Sequence, residues 1–252
     1  MIAVEWRPVP GVRALCTSRK GGVSVAPWSS CNLAEHVGDA ADAVAENRRR
    51  LRAAALLPGE PHWLKQVHGT AVANPDAAGG AGAPTADAAV STAPGTVCAV
   101  LTADCLPVLL AASDGSAVGA AHAGWRGLAA GVIESTVLAL LQRATPGATL
   151  LAFLGPAISI VHYEVGDEVR AAFMATDAAA AAAFRRSDNN RWRCDLYALA
   201  RQRLAALGIT AVTGGELCTY AHAHRFYSHR RDVQHHGLAS TGRMASLIWR
   251  QT

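Results

Sequence analysis

The sequence predicts a single mixed α/β domain spanning residues 1–252, and three observations predict it. Apolar runs of strand length alternate with segments of helical periodicity, the pattern of mixed α/β folds. Hydrophobic residues make up 51% of the chain and charged residues only 17%, below the roughly 25% usual in soluble domains, so large surfaces must be buried. No internal repeat divides the chain, and the Gly/Pro/Ala stretch NPDAAGGAGAPTA at 74–86 is flanked by strand-like segments. It reads as an exposed loop rather than a linker.

Taken in order, the first legible element is a helix in DAVAENRRRLRAAALLPG, with Asp42 near its N-cap and Pro58-Gly59 beyond its end. TVCAVL and TADCLPVLL follow as buried strand, yet the second run sets Asp104 beside Cys105, with Pro107 two residues on. An unpaired buried carboxylate is expensive, so a strand must end there and deliver its last residues to an edge or a cavity. PVLLAASDGSAVGAAHAG holds two β-like runs joined across Asp114-Gly115, a hairpin signal. Residues 125–144 read as one largely apolar helix and TLLAFLG as a buried strand. The Ala run at 178–183 is a helical or loop excursion. DLYALARQRLAALG is the clearest helix: Leu196, Leu199, Leu204 and Leu207 share a stripe, Asp195 caps it and Gly208 closes it.

The N-terminus lacks a basic segment followed by an apolar stretch, and no run approaches the length of a membrane span. A cytoplasmic protein without membrane contact is therefore expected. The six cysteines form no CxxC pair and read as free thiols. Net charge is +4 with a pI near 8.9, but the basic residues are dispersed. The cluster Arg48-Arg49-Arg50 reads as a solvated helix face, and an anionic small molecule explains the remaining charge without nucleic acid.

Three soft-metal ligands stand where apolar β-like runs stop: His68 in WLKQVHGT, Cys105 in TADCLP and His122 in GAAHAGWRG. Two imidazoles and a thiolate suit zinc, with a fourth position left for water or substrate, and Asp104 would then be an acceptor orienting a ligand or a substrate donor. The spacing alone leaves two other readings open: a buried thiol with two ordinary histidines, or a metal-free Cys105 nucleophile with His122 as its base. Nearby, HAGWRG places Arg126 at a helix start, among N–H groups that favour anions, and Gln66 falls two residues before His68, on the same face of an extended strand. RKGGVS at 19–24 is either a phosphate-approaching loop or a plain turn, and Arg231-Asp232 in SHRRD reads as a surface ion pair. Tyr163-Glu164 at a helix head supplies either an acid or a capping-type residue, and Trp63 and Trp125 read as core or rim packing.

Together TSRKGGVS, NLAEHVGD, ENRRRL, WLKQVHGT, ADAAV, TADCLPVLL, HAGWRGLAAGVIE, LGPAIS, YEVGDEV, DLYALARQRL, FYSHRRD and TGRMASLIW run in the order of a known family. From about residue 12 to residue 250 the chain resembles the bacterial laccase-domain or polyphenol oxidoreductase family, YfiH-like in kind. The resemblance implies a fold related to the catalytic domain of cytotoxic necrotizing factor toxins, and zinc held by His68, Cys105 and His122. It also implies a purine nucleoside phosphorylase acting on adenosine, inosine, guanosine and methylthioadenosine, with adenosine deamination as a further activity. On that reading the substrates are purine nucleosides and phosphate, Cys105, His122 and Arg126 are catalytic, and Gln66, Arg230 and Arg48 bind substrate; no protein partner is expected.

The older laccase name fits the residues less well. A multicopper oxidase needs about ten histidines, many in H-x-H pairs, and here only His222 and His224 form such a pair. The H-x-E…P-C-x-x-C zinc signature of base deaminases is also missing. Copper is thus less expected than zinc. The alternatives are a metal-free cysteine hydrolase or amidase acting on cell-wall precursors, a copper-linked polyphenol oxidase, and a metal-binding protein without turnover. The chain departs from the family pattern at 233–240, where VQHHGLAS is inserted between Asp232 and Thr241 and reads as an exposed loop able to bind copper adventitiously. Cys31 stands where an apolar residue is common.

Overall fold

A computed structural model describes residues 1–77 and 82–251. The chain runs through β1 (Ile2–Trp6), β2 (Val12–Thr17), α1 (Ala41–Ala55), β3 (Val72–Ala73), β4 (Ala88–Ser91), β5 (Val97–Thr102), β6 (Leu106–Ala112), β7 (Val118–Ala123), α2 (Trp125–Ala130) and α3 (Val132–Leu141). It continues through β8 (Leu150–Leu154), β9 (Glu164–Val165), α4 (Asp167–Met174), β10 (Phe184–Arg186), β11 (Trp192–Cys194), α5 (Leu196–Ala206), β12 (Val212–Gly214) and β13 (Met244–Arg250). An antiparallel sheet ordered β1-β2-β13-β5 packs on a mixed sheet ordered β12-β8-β6-β7-β4-β3, and β10-β11-β9 form a small third sheet.

The order of layers explains why the strands read as unbroken apolar runs. Val97, Ala99 and Leu101 of β5 pack with Leu51 of α1, while Cys98 and Val100 face Leu109, Ala111 and Ala120 of the other sheet. On β6, Val108 and Leu110 point the opposite way, toward Leu128, Ile133, Val137 and Leu204 of the helices. Side chains of a strand alternate between faces, and here both faces are covered, so the polar half of the usual alternation disappears. The layers are helix, sheet, sheet and helices.

The segment TADC is the crossing from one sheet to the other. Strand β5 ends at Thr102 and β6 begins at Leu106, and the two belong to different sheets. The turn holds Asp104 at φ 88°, an unusual conformation for a non-glycine residue. Downstream, β6 and β7 form the expected hairpin, with Gly115 at φ 72°. All six cysteines are free thiols. Among the described residues no helix is long and apolar enough to cross a membrane.

Several local expectations are corrected. The helix expected at 125–144 is two, because Gly131 takes φ 100° between α2 and α3. The helix start belongs to Ala40, and Asp42 lies in the first turn of α1. Asp195 does cap α5, accepting from Ala198 N–H at 3.0 Å, but Leu207 sits past the last turn and is 38% exposed. The Ala run is a short 3₁₀ helix capped by Asp177. Glu164 lies in β9 rather than at a helix head. Part of the loop read at 74–86, residues 78–81, lies outside the described residues.

Candidate metal centre

His122 is the last residue but one of β7 and pairs across the hairpin with Pro107, so Cys105, just before β6, comes to the same end of the sheet. His68 arrives differently. Residues 63–68 form a loop rather than a strand, and His68 itself has φ 60°. Asp87 holds that loop: its carboxylate accepts N–H bonds from Val67 (3.1 Å), His68 (2.9 Å) and Gly69 (2.7 Å). The same carboxylate lies 2.8 Å from Nδ1 of His122 and is fully buried. Opposite the loop, Gln66 donates to the carbonyl and accepts from the N–H of Leu101, tying it to β5 as a strand neighbour would.

The ligand atoms of His68, Cys105 and His122 all lie within 4.8 Å of one another, with Cys105 Sγ 3.8 Å from His68 Nε2. Asp87 occupies Nδ1 of His122, which leaves Nε2 free to face the thiol, the usual arrangement behind a metal-bound imidazole. Two glycines of HAGWRG make the approach possible. A Cβ on Gly124 would stand 2.7 Å from His68 Cδ2 and 3.0 Å from Cys105 Sγ, and one on Gly127 would stand 2.9 Å from the Gly69 carbonyl. Burial pushes the Cys105 thiol up, but the adjacent His122 and His68 outweigh it and hold the thiol at about 6. Burial pulls His122 down, yet Cys105 and Asp87 raise it to about 9. Near neutral pH the thiol is therefore already the thiolate that binds a metal, while the His122 imidazolium must give up its proton before it can do so.

The three side chains open on a cavity of about 410 Å³. Arg126, Arg230, Arg243, His36 and His229 also line it, and Asp104 is the one carboxylate that does so among the described residues. Of the two roles expected for Asp104, orienting a metal ligand falls to Asp87, while Asp104 itself lines the cavity. Asp104 instead accepts from Thr219 Oγ1 (2.6 Å), Ser228 Oγ (3.0 Å) and Arg230 N–H (2.7 Å), and so pins the SHRRD segment to the sheet crossing. Arg231 and Asp232, expected at the surface, are a buried pair at 2.8 Å, and Asp232 also accepts from Thr241 Oγ1 at 2.6 Å.

The other expected site residues divide. Arg126 lines the cavity but is exposed and lies over the Trp125 ring at 4.6 Å. Its helix α2 has only six residues, so the helix-end argument for an anion there has little force. Arg230 lines the cavity while donating to the Glu164 carbonyl at 2.7 Å. Gln66 lines it with its amide spent on Leu101. Arg48 is not among the lining residues: it donates to the Leu33 carbonyl, pairs with Glu35 at 2.6 Å and covers Trp63. The RKGGVS segment is a packed turn, with Arg19 donating to Ser29 and Ala223 carbonyls. The inserted segment is exposed over residues 234–239, as expected, and it is also structured at its start: Arg230–His235 form a π-type turn that brings Gln234 to the cavity, and His235 Nδ1 lies 2.9 Å from Tyr220 Oη.

Sequence reasoning missed Asp87, Arg243, His36 and His229. Asp87 alone carried a signal, an acid inside the otherwise apolar ADAAV.

Residues 13–251 match the family model described as multi-copper polyphenol oxidoreductase laccase. A relative in Escherichia coli named purine nucleoside phosphorylase YfiH is 50% identical over 253 residues, covering 99% of this chain and 98% of its own. A purine nucleoside phosphorylase of Pseudomonas aeruginosa is 50% identical over 248 residues, covering 98% and 97%. Among solved structures, a Neisseria meningitidis protein superposes with a TM-score of 0.90 at 43% identity, covering 100% of this chain and 99% of its own. YlmD from Geobacillus stearothermophilus superposes with a TM-score of 0.87 at 31% identity, covering 98% and 94%.

Proposed function

The chain belongs to the multi-copper polyphenol oxidoreductase laccase family, and we propose that within it this protein is a zinc-dependent purine nucleoside phosphorylase. The observation that carries the reading is the convergence of two imidazoles and a thiol on a 410 Å³ cavity that also bears three arginines. That volume is within the range of small-molecule sites. Zinc favours imidazole and thiolate donors, and its tetrahedral bonds of about 2.0–2.3 Å set donors roughly 3.3–3.8 Å apart; Cys105 and His68 stand at the upper edge of that range, 3.8 Å, and all three donor atoms lie within 4.8 Å of one another. When bound there, zinc supplies a Lewis acid with one position open to a substrate atom.

The chain's own residues account for the rest. In phosphorolysis a phosphate oxygen bonds to C1′ of the ribose as the bond from C1′ to the purine nitrogen breaks, and the electron pair leaves with the purine, which then takes a proton. An enzyme for that step must hold a multiply charged anion, stabilise charge on the leaving base and exclude water. The three arginines supply the positive potential and outnumber Asp104, whose oxygens are occupied by the SHRRD segment and Thr219 rather than by an arginine side chain. Adenosine, inosine, guanosine and methylthioadenosine are the substrates assigned on this reading, with adenosine deamination as a side activity and the cytoplasm as its place. A copper oxidase fits less well, since among the described residues His68, Cys105 and His122 are the one group of three or more ligands with mutually close donors.

The test is chromatography of zinc-loaded protein incubated with adenosine or inosine, with and without phosphate. Phosphate-dependent release of free base and ribose 1-phosphate is expected; nucleosides returned intact would remove the reading.

One observation favours a second reading. Asp87, His122 and Cys105 stand in the relation of orienting carboxylate, base and nucleophile, the arrangement of a cysteine hydrolase, and the expected kinship with toxin catalytic domains belongs with it. Protein purified without metal, alkylated by iodoacetamide at Cys105 alone and active on an amide, would favour that reading.

A further inference from the structure

The cavity's three arginines are not equivalent. Arg126 is exposed at an aromatic ring and Arg230 is drawn toward the Glu164 carbonyl, but Arg243 is drawn inward. Three anchors set it. Its N–H donates to the buried Asn32 at 3.0 Å; Thr241, two residues before, bonds Asp232; and Gly242 lies so close to Tyr227 that a Cβ would stand 2.5 Å from the ring. One guanidinium nitrogen, Nη1, donates to the carbonyls of Thr241 and Gly242. Among the described residues no protein acceptor engages Nε or Nη2, and no carboxylate lies within salt-bridge distance. A partly desolvated guanidinium in a cavity, with two nitrogens free and no carboxylate in contact, though Cys105 and Asp104 act on it from across the cavity, has the form of an oxyanion anchor.

Two imidazoles accompany it. His36 is carried by the loop that Asn32 organises, through its bonds to Ala34 and Asp39. His229 is carried by the segment that Asp104 pins. Both line the same cavity. Burial first and the charge of Arg243 next lower each of them, with Arg48 and Glu35 also acting on His36, and Asp104, Arg230 and Asp232 on His229. The cation that both feel is the same one, and Cys105 and Asp104 act on it in turn.

We propose that Arg243, flanked by His36 and His229, forms the phosphate subsite of this cavity, with Arg126 left to attract anions at its mouth. The subsite rests on the phosphorylase reading for its ligand, but not for its test. Inorganic phosphate is titrated calorimetrically into the zinc-loaded protein with no nucleoside present. Arg243→Gln should weaken phosphate binding at least tenfold, His36→Asn and His229→Asn two- to fivefold each, and Arg126→Gln less than threefold, with zinc content unchanged throughout. Arg243→Lys guards against a folding defect: it keeps the charge, should raise the phosphate KM severalfold, and should leave kcat at saturating phosphate within about threefold. Unaltered phosphate affinity in both Arg243 variants, or a larger loss in Arg126→Gln than in Arg243→Gln, overturns the assignment. Phosphate bound at Arg243 by a protein that releases no base from any nucleoside would uphold the subsite and remove the phosphorylase reading instead.

Discussion

His122 and Cys105 sit at adjoining strand ends of the β6–β7 hairpin, whereas His36 and His229 ride on loops, Arg230 opens the π-type turn and Arg243 stands just before β13. The first wall of the cavity inherits its geometry from main-chain pairing, and only His68 has to be brought in, by Asp87. On the second wall only Arg243 has a ladder beside it, where β13 pairs with β2 and β5. Elsewhere buried side chains hold it: Asn32 and Asp104 join segments remote in sequence, and Asp232 ties its own turn to Thr241. Buried side-chain networks of this kind hold a unique arrangement only when fully satisfied. The two walls should therefore fail separately and in different ways.

The sharpest break is on the metal wall. Cys105→Ala removes one of three ligands and should abolish zinc retention and turnover together, measured by metal analysis and base release; turnover surviving in that variant would sink the zinc assignment. Asp87→Ala should come next. It strands three loop N–H groups and the His122 imidazole in a buried place, costing about 3–5 kcal/mol in stability and roughly 10- to 100-fold in zinc affinity, read by thermal melting and competition with a chelator. Phosphate should still bind to whatever fraction remains folded and metal-loaded.

The opposite wall is broken by Asp104→Asn. The amide keeps one acceptor where three donors converge, so stability should fall by about 1–3 kcal/mol and the phosphate KM should rise severalfold. Zinc stoichiometry is the discriminating measurement. If the variant keeps its zinc, the walls are independent; if zinc is lost as well, the crossing at Asp104 supports both, and the comparison fails.

How far the sequence discloses each wall follows from the same physics. The β6–β7 hairpin, the end of β5 at the sheet crossing and α5 are written in local signals: Asp114-Gly115, the misplaced acid Asp104, and Asp195 with Gly208. His68, Cys105 and His122 stood out because each is followed closely by Gly or Pro. Arg243 gave no such sign, because what makes it a candidate is an absence, the lack of a carboxylate in contact with it, and that depends on which distant loops share its surroundings. Arg48 failed for the converse reason, since Glu35, its partner across a turn, cannot be read from its own helix. The four layers were hidden too, since an apolar run reports that both faces are covered without reporting by what.

The smallest effect concerns protons on the metal-free protein, and its sign can be worked out. The Cys105 thiol, held at about 6 against an ordinary value near 8.5, contributes stability that is present above the unfolded value and is lost as pH falls through about 6. The His122 imidazole, raised to about 9 from an ordinary 6.5 or so, contributes stability that is present below the unfolded value and is lost as pH rises through about 9. Between roughly pH 6.5 and 8.5 the folded pair, thiolate and imidazolium, holds one proton, and so does the unfolded pair, thiol and neutral imidazole. Equal proton counts make the linkage slope vanish. The pair should therefore leave the melting temperature flat across that window, while the alkylation rate of Cys105 is already near its plateau at pH 7. The same count fixes zinc loading at pH 7.5: only His122 has a proton to give up, so one proton should be released per zinc, measurable by calorimetry in buffers of different ionisation enthalpy. An alkylation midpoint near 8.5 would mean that the thiol and imidazole rest neutral. One proton would then still be released, but from sulfur, so the alkylation profile, rather than the proton count, decides which group the wall holds charged.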